Sequence, residues 1–162
     1  MDQLVKLLID SGLTIASCES LTGGLFCQKM TEIPGVSATL KGGIVTYWNE
    51  IKINVAHVSR KTADTYGVVS PQCAREMADN IAQIFNTDIG VSFTGNAGPD
   101  TLEGKPKGLV YSCISLRGNL FEYEDLIDLP RNELREKIVS LMTERLIEAV
   151  SEFNNMEEEK DG

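Results

Sequence analysis

Histidine is almost absent from this 162-residue chain: His57 is the only one. A Ser-His-Asp triad, a Cys-His pair or a multi-histidine metal site would have to be built on that single side chain, so the common hydrolases and metalloenzymes lose their usual base or ligands. The acids are scattered too, so no metal is expected. Positive charge is scarce, with 15 Lys and Arg against 24 Asp and Glu and a formal charge of −9. Nucleic-acid binding needs a cationic surplus to release counterions, and this balance argues against it. No apolar run approaches the roughly 20 residues that span a bilayer, and the opening MDQLVKLLIDSG lacks a signal-peptide layout, so no membrane partner is expected. The four cysteines, Cys18, Cys27, Cys73 and Cys113, form no C-x-x-C pair. Each reads as a small buried hydrophobe in a reduced, cytoplasmic protein.

The residues present are those of one globular domain, 42% hydrophobic and 24% charged, long enough to bury a core without staples. Leu4, Leu7 and Leu8 stripe an opening helix that Gly12 ends. Thr14 to Cys18 reads as a short buried strand, and a second helix opens at Thr22-Gly23-Gly24 and stops at Pro34-Gly35. A strand is expected at Gly43 to Tyr47, then a helix over Trp48 to Ala56. Ser70-Pro71, an N-cap followed by proline at the first helical position, starts the clearest helix, with Ala74, Met77, Ala78, Ile81, Ala82 and Phe85 on one face. Ile89 to Phe93 is a third strand, Leu109 to Leu116 and Leu120 to Ile127 a hairpin, and Leu134 to Val150 a long final helix. Residues 1–153 form one domain, and 154–162 an acidic, frayed tail. The alternation predicts an α/β fold with a mostly parallel mixed sheet and one late antiparallel hairpin.

Ligands bind outside the carboxyl ends of strands in such sheets. Three strand ends carry polar or glycine-rich turns: Glu19 to Gly24, Thr46 to Lys52, and Thr94-Gly95-Asn96-Ala97-Gly98-Pro99. The first precedes a helix, whose unpaired N–H groups favour an anion or an oxyanion; a plain strand-to-helix turn capped by Thr22 is the other reading. The last is no phosphate loop, because five residues separate Gly98 from Gly104 and Lys105 precedes Pro106. Ser20 and Thr22 are placed as nucleophiles, while Cys18 ends an apolar strand and reads as buried. Without histidine, a serine needs another base. A lysine serves if its pKa falls by roughly 2–3 units. Lys52 has the position, although position alone equally describes a solvated helix lysine. Arg131 and Arg135, four apart at a helix start, present either a phosphate clamp or a solvated face. His57 reads as a surface or capping residue.

Cys18-Glu19-Ser20-Leu21-Thr22-Gly23-Gly24, Val45-Thr46-Tyr47-Trp48-Asn49-Glu50-Ile51-Lys52 and Thr94 to Pro99 resemble the three signature stretches of the CinA C-terminal domain family, which includes the nicotinamide-nucleotide amidohydrolases. Those stretches usually read A-E-S-C-T-G-G, V-T-Y-S-N-E-A-K and T-G-I-A-G-P. Tyr66 to Ser70 and Lys105 to Gly108 match further segments in the same order. The resemblance covers nearly the whole chain. It implies a three-layer α/β/α sandwich that hydrolyses the carboxamide of nicotinamide mononucleotide (NMN) to nicotinate mononucleotide and ammonia, without metal or cofactor. Carried over by position, it implies Ser20 as nucleophile, Lys52 as base and Tyr47 beside them. Backbone N–H groups around Thr22-Gly23 or Gly95-Asn96 would then hold the oxyanion. Thr22, Gly23, Thr94, Gly95, Asn96, Ala97, Arg131 and Arg135 become the substrate-binding candidates, with Lys105 and Lys107 as further cations for the phosphate. The resemblance also implies a homodimer or higher homo-oligomer and, at this length, a stand-alone form of the domain.

The chain departs from the family pattern at Leu21, Trp48 and Asn96, where cysteine, serine and isoleucine are usual, and its Asp100–Lys105 loop is short. A non-catalytic nucleotide-binding or competence-related interaction protein on the same fold is the competing reading, and an amidase for a related amide a third.

Overall fold

In the computed structural model, which describes all 162 residues, Gly12 closes the first helix, α1 (Asp2–Ser11), in the left-handed region at φ 67° and ψ 27°. The chain continues through β1 (Ile15–Glu19), α2 (Leu25–Thr31), a 3-10 turn (Val36–Ala38), β2 (Leu40–Val45), α3 (Asn49–Asn54), α4 (Arg60–Tyr66), α5 (Pro71–Phe85), β3 (Ile89–Gly95), β4 (Leu109–Leu116), β5 (Asn119–Leu126) and α6 (Arg131–Asp161). The five strands lie in the order β2-β1-β3-β4-β5. β1 pairs parallel with β2 and β3, while β4 runs antiparallel to β3 and β5 antiparallel to β4.

Alternation along the strands builds two cores. Ile15 on β1, Val91 and Phe93 on β3 and Ile114 on β4 face α1, α2 and α6; Ala16 and Cys18 on β1 face Cys73, Met77 and Ile81 of α5. This is the expected three-layer sandwich, with helices on both faces. Gly90 shows how closely α5 sits: a Cβ there would run into the Ala78 carbonyl. On the outer edge, Arg145 of α6 grips Asp125 of β5 with two hydrogen bonds of 2.7 Å and lies 4.3 Å over the Tyr123 ring.

The connections position the site. From β1 the chain crosses through α2 to β2 on one side, then returns through α5 to β3 on the other. The winding reverses at β1, which opens a crevice at the carboxyl ends of β1, β2 and β3.

Four local expectations are corrected. The second strand begins at Leu40, earlier than Gly43, and ends at Val45. The Gly42-Gly43 pair hides its start, because glycine carries no strand signal, yet Gly43 is required where a Cβ would strike the Ser17 hydroxyl. The following helix is shorter, Asn49–Asn54. α4 went unpredicted, although Ser59 caps it by accepting from Thr62 N–H at 3.0 Å. The tail is helical to Asp161, its side chains largely exposed, where fraying from residue 154 was expected. Cys18, Cys73 and Cys113 are buried as expected, and Cys27 only partly so.

Candidate active site at the carboxyl ends of β1, β2 and β3

Ser20 follows the last residue of β1, and its N–H donates to the Phe93 carbonyl of β3 at 3.1 Å. The turn beyond it needs Gly23 and Gly24, at φ 59° and 98°. Thr22 does not cap α2; its buried hydroxyl has no partner. The cap comes from Glu19, whose carboxylate accepts from the N–H groups of Phe26 (3.0 Å) and Cys27 (3.1 Å) and from the Ser17 hydroxyl (2.9 Å). This almost fully buried carboxylate fixes the Ser20 turn against the start of α2. Sequence reasoning missed it, since glutamate ending a strand carries no capping signal.

Lys52 sits on α3, with only 2% of its surface exposed. Its Nζ donates to the carbonyls of Thr46 (2.6 Å) and Tyr47 (3.2 Å) and to Ser20 Oγ at 3.0 Å. Desolvation lowers its pKa from the usual lysine value. The nearby thiols are no rivals as nucleophiles: burial pushes Cys18 up to about 11 and Cys73 up to about 12. A lysine whose pKa is lowered by burial, in hydrogen-bond contact with a serine hydroxyl, can accept that hydroxyl's proton once it has lost its own. The N–H groups of Leu21 and Thr22, directly after Ser20, donate to no protein acceptor. That of Asn96 is spent on the Leu109 carbonyl at 2.9 Å.

A cleft of about 340 Å³ opens over the pair. Ser20, Tyr47, Lys52, Thr94, Gly95, Asn96, Ala97 and Arg131 all line it. Thr22, Gly23 and Arg135 do not. Arg135 instead braces the Ser20 turn, donating to the carbonyls of Leu21 (2.9 Å) and Thr22 (3.0 Å). The Tyr47 hydroxyl accepts from Arg131 at 2.8 Å. Arg131 also donates to the Gly98 carbonyl at 2.8 Å. Lys105 is tied to the Tyr66 and Val69 carbonyls, and the stem of Lys107 lies against Gly98, so Arg131 alone of the four expected cations borders the cleft. Asn96 braces its own loop, donating to the Leu102 and Lys105 carbonyls and accepting from Leu102 N–H. Glu103, unremarkable in sequence, accepts from the N–H groups of Val68 (2.8 Å) and Val69 (2.9 Å) and so holds the cleft wall.

The family model for the CinA C-terminal domain matches residues 1–150. The chain belongs to that family. A CinA superfamily protein from Klebsiella pneumoniae 700603 has a similar crystal structure, with TM-score 0.91 and 26% identity over 93% of this chain and 95% of that one. Competence/damage inducible protein CihA from Agrobacterium tumefaciens is similar with TM-score 0.85 and 36% identity over 93% and 94%. A Geobacillus relative named as a competence-damage inducible protein is 51% identical over 115 residues, 71% of this chain and 28% of the relative. One from Listeria welshimeri is 40% identical over 139 residues, 85% and 34%. This CinA-family chain therefore spans about a third of the length of those curated relatives. No helix in it is long and apolar enough to cross a membrane.

Proposed function

We propose that this CinA-family domain is an amidohydrolase that converts the carboxamide of NMN to the carboxylate, releasing ammonia. The observation that carries the reading is the Ser20–Lys52 contact, 3.0 Å long, with the lysine nearly sealed from water and lined up under an open cleft. The cleft volume lies within the usual range for small-molecule sites, about 300–1,000 Å³.

Lys52, as the neutral amine, takes the proton of Ser20 Oγ, and the oxygen attacks the amide carbon. The carbonyl π electrons move onto oxygen, and the free N–H groups of Leu21 and Thr22 stabilise that oxyanion. The Lys52 ammonium returns its proton to the departing nitrogen, ammonia leaves, and an ester to Ser20 remains. Water, deprotonated by Lys52, cleaves the ester to nicotinate mononucleotide and restores the serine. The Thr46 and Tyr47 carbonyls hold the ammonium in the intervening step, so its charge is met by oriented dipoles rather than solvent. Arg131, the expected cation that borders the cleft, is the candidate to meet the substrate phosphate.

The test is release of ammonia and nicotinate mononucleotide from NMN by wild type beside Ser20→Ala. Release by wild type alone is the expected result. A folded wild type that releases neither product would remove the amidohydrolase reading.

A further inference from the structure

The chain has a single tryptophan, Trp48, and its side chain is the most exposed of the large hydrophobic residues, at 74%. It lines the candidate cleft, together with Tyr47 and Leu102, which are also more than half exposed. Large apolar side chains left in water forfeit the burial energy that drives folding. Three around one cleft mark a surface for an apolar or flat ligand.

The backbone beneath these side chains is fixed. The Trp48 carbonyl accepts from the N–H groups of Ile51 and Lys52, both at 3.1 Å, so the turn presenting the indole is tied to the helix presenting Lys52. Leu102 is held at both its N–H and its carbonyl by the Asn96 side chain. Trp48 comes from the loop after β2 and Leu102 from the loop after β3, and these flank the β1 loop that carries Ser20. The residues are thus anchored by main chain and free at the side chain. Both line the cleft that opens over Ser20.

We propose that Trp48 is a specificity-determining residue, its indole stacking on the flat, cationic heteroaromatic ring that bears the scissile carboxamide while Leu102 bounds the ring from the opposite loop. The inference rests on the amidohydrolase reading and adds the residue that recognises the ring, favouring pyridinium carboxamides over aliphatic amides. Tryptophan offers the best π face for a cation, and a pyridine ring whose nitrogen carries a glycosidic bond is positively charged. The serine usual at this place in the family pattern has no ring to offer.

Because Trp48 is the only tryptophan, its emission reports directly on the proposed contact. Ser20→Ala protein is titrated with NMN and followed by tryptophan fluorescence and by calorimetry. The expected result is saturable quenching whose midpoint matches the calorimetric Kd. In the same background Trp48→Ser weakens NMN by roughly ten-fold, while Trp48→Phe, which keeps a ring, stays within about three-fold. With Ser20 restored, Trp48→Ser raises KM more than it lowers kcat, and the preference for NMN over an aliphatic primary amide shrinks by a similar factor. Calorimetric binding without any change in emission, or an unchanged Kd in Trp48→Ser, overturns the stacking role and leaves the hydrolysis standing. An unchanged Kd with loss of self-association in Trp48→Ser also overturns it and assigns the indole to contact between copies. Absence of both NMN binding and NMN hydrolysis in the wild type overturns the amidohydrolase reading, and this inference with it.

Discussion

Lys52 spends its length crossing from α3 to the end of β1, and its ammonium is desolvated where a typical lysine would be in water. The cost is offset by three hydrogen bonds, of which the one to Ser20 is the contact the proposed reaction uses. Lys52→Met keeps the stem and removes the base, so turnover should fall roughly 10³-fold, checked by steady-state kinetics on NMN. In the proposed reaction the amine works unprotonated, so wild-type kcat/KM should rise with pH through a limb below the ordinary lysine value of 10.5. The same limb in the residual activity of Lys52→Met would assign it to another group. The stability sign is fixed as well. Folding lowers this pKa, so the unfolded chain holds the proton longer and stability from this group rises with pH between the lowered value and 10.5. Denaturation of wild type minus Lys52→Met across that window isolates the effect. The two arginines separate by role. Arg135→Ala strips two carbonyl contacts from the Ser20 turn, costing about 2 kcal/mol of stability by urea melt, and should slow phosphorylated and unphosphorylated substrates alike. Arg131→Ala should penalise NMN more than nicotinamide riboside.

At the scale of elements, the β1–α2 turn depends on Glu19 rather than on its own side chains. α2 has seven residues, too short to be stable in isolation. A buried carboxylate supplies what the two glycines and the unpartnered Thr22 cannot, by accepting from the N–H groups of Phe26 and Cys27. Glu19→Ala leaves those donors and the Ser17 hydroxyl unmet, and should cost about 3 kcal/mol, measured by chemical denaturation. Activity should fall further than that loss accounts for, because Ser20 is the next residue. Arg135 performs the matching task from α6, so the Ser20 turn is held from both the sheet and the last helix.

For the whole molecule, α6 serves two purposes along its 31 residues. Its first turn borders the cleft with Arg131, and its middle buries Leu134, Ile138, Met142, Leu146 and Val150 against the larger core. Asn154 is the last residue tied elsewhere in the chain, donating to the Ser11 hydroxyl at 2.8 Å. A chain ending at Asn154 should therefore unfold within about 1 kcal/mol of wild type, since what it loses is largely exposed. Ending it at Glu148 removes Ala149 and Val150 from the core along with the packed Phe153, and should cost several kcal/mol by the same melt. The order of the strands matters at this scale too: only the reversal of winding at β1 brings the loops after β1, β2 and β3 around one crevice.

Periodicity and punctuation made most of the fold legible. Gly12, Ser70-Pro71 and the Leu109–Leu126 hairpin lie where their local chemistry put them, because caps, turns and alternating faces are decided by near neighbours. The family was also readable from its ordered motifs, and the resemblance singled out Ser20 and Lys52, which the fold brings to 3.0 Å of each other. The rest depended on residues far apart in the chain. Arg131, Arg135 and Lys105 look alike in sequence and all three donate to backbone carbonyls, yet only Arg131 also borders the cleft. Glu19 and Glu103 look like ordinary acids and are loop anchors. A pattern can place a side chain on an element, but its partners and its exposure to water follow from packing across the sheet. That packing turned Lys52 from a helix lysine into a desolvated amine against Ser20.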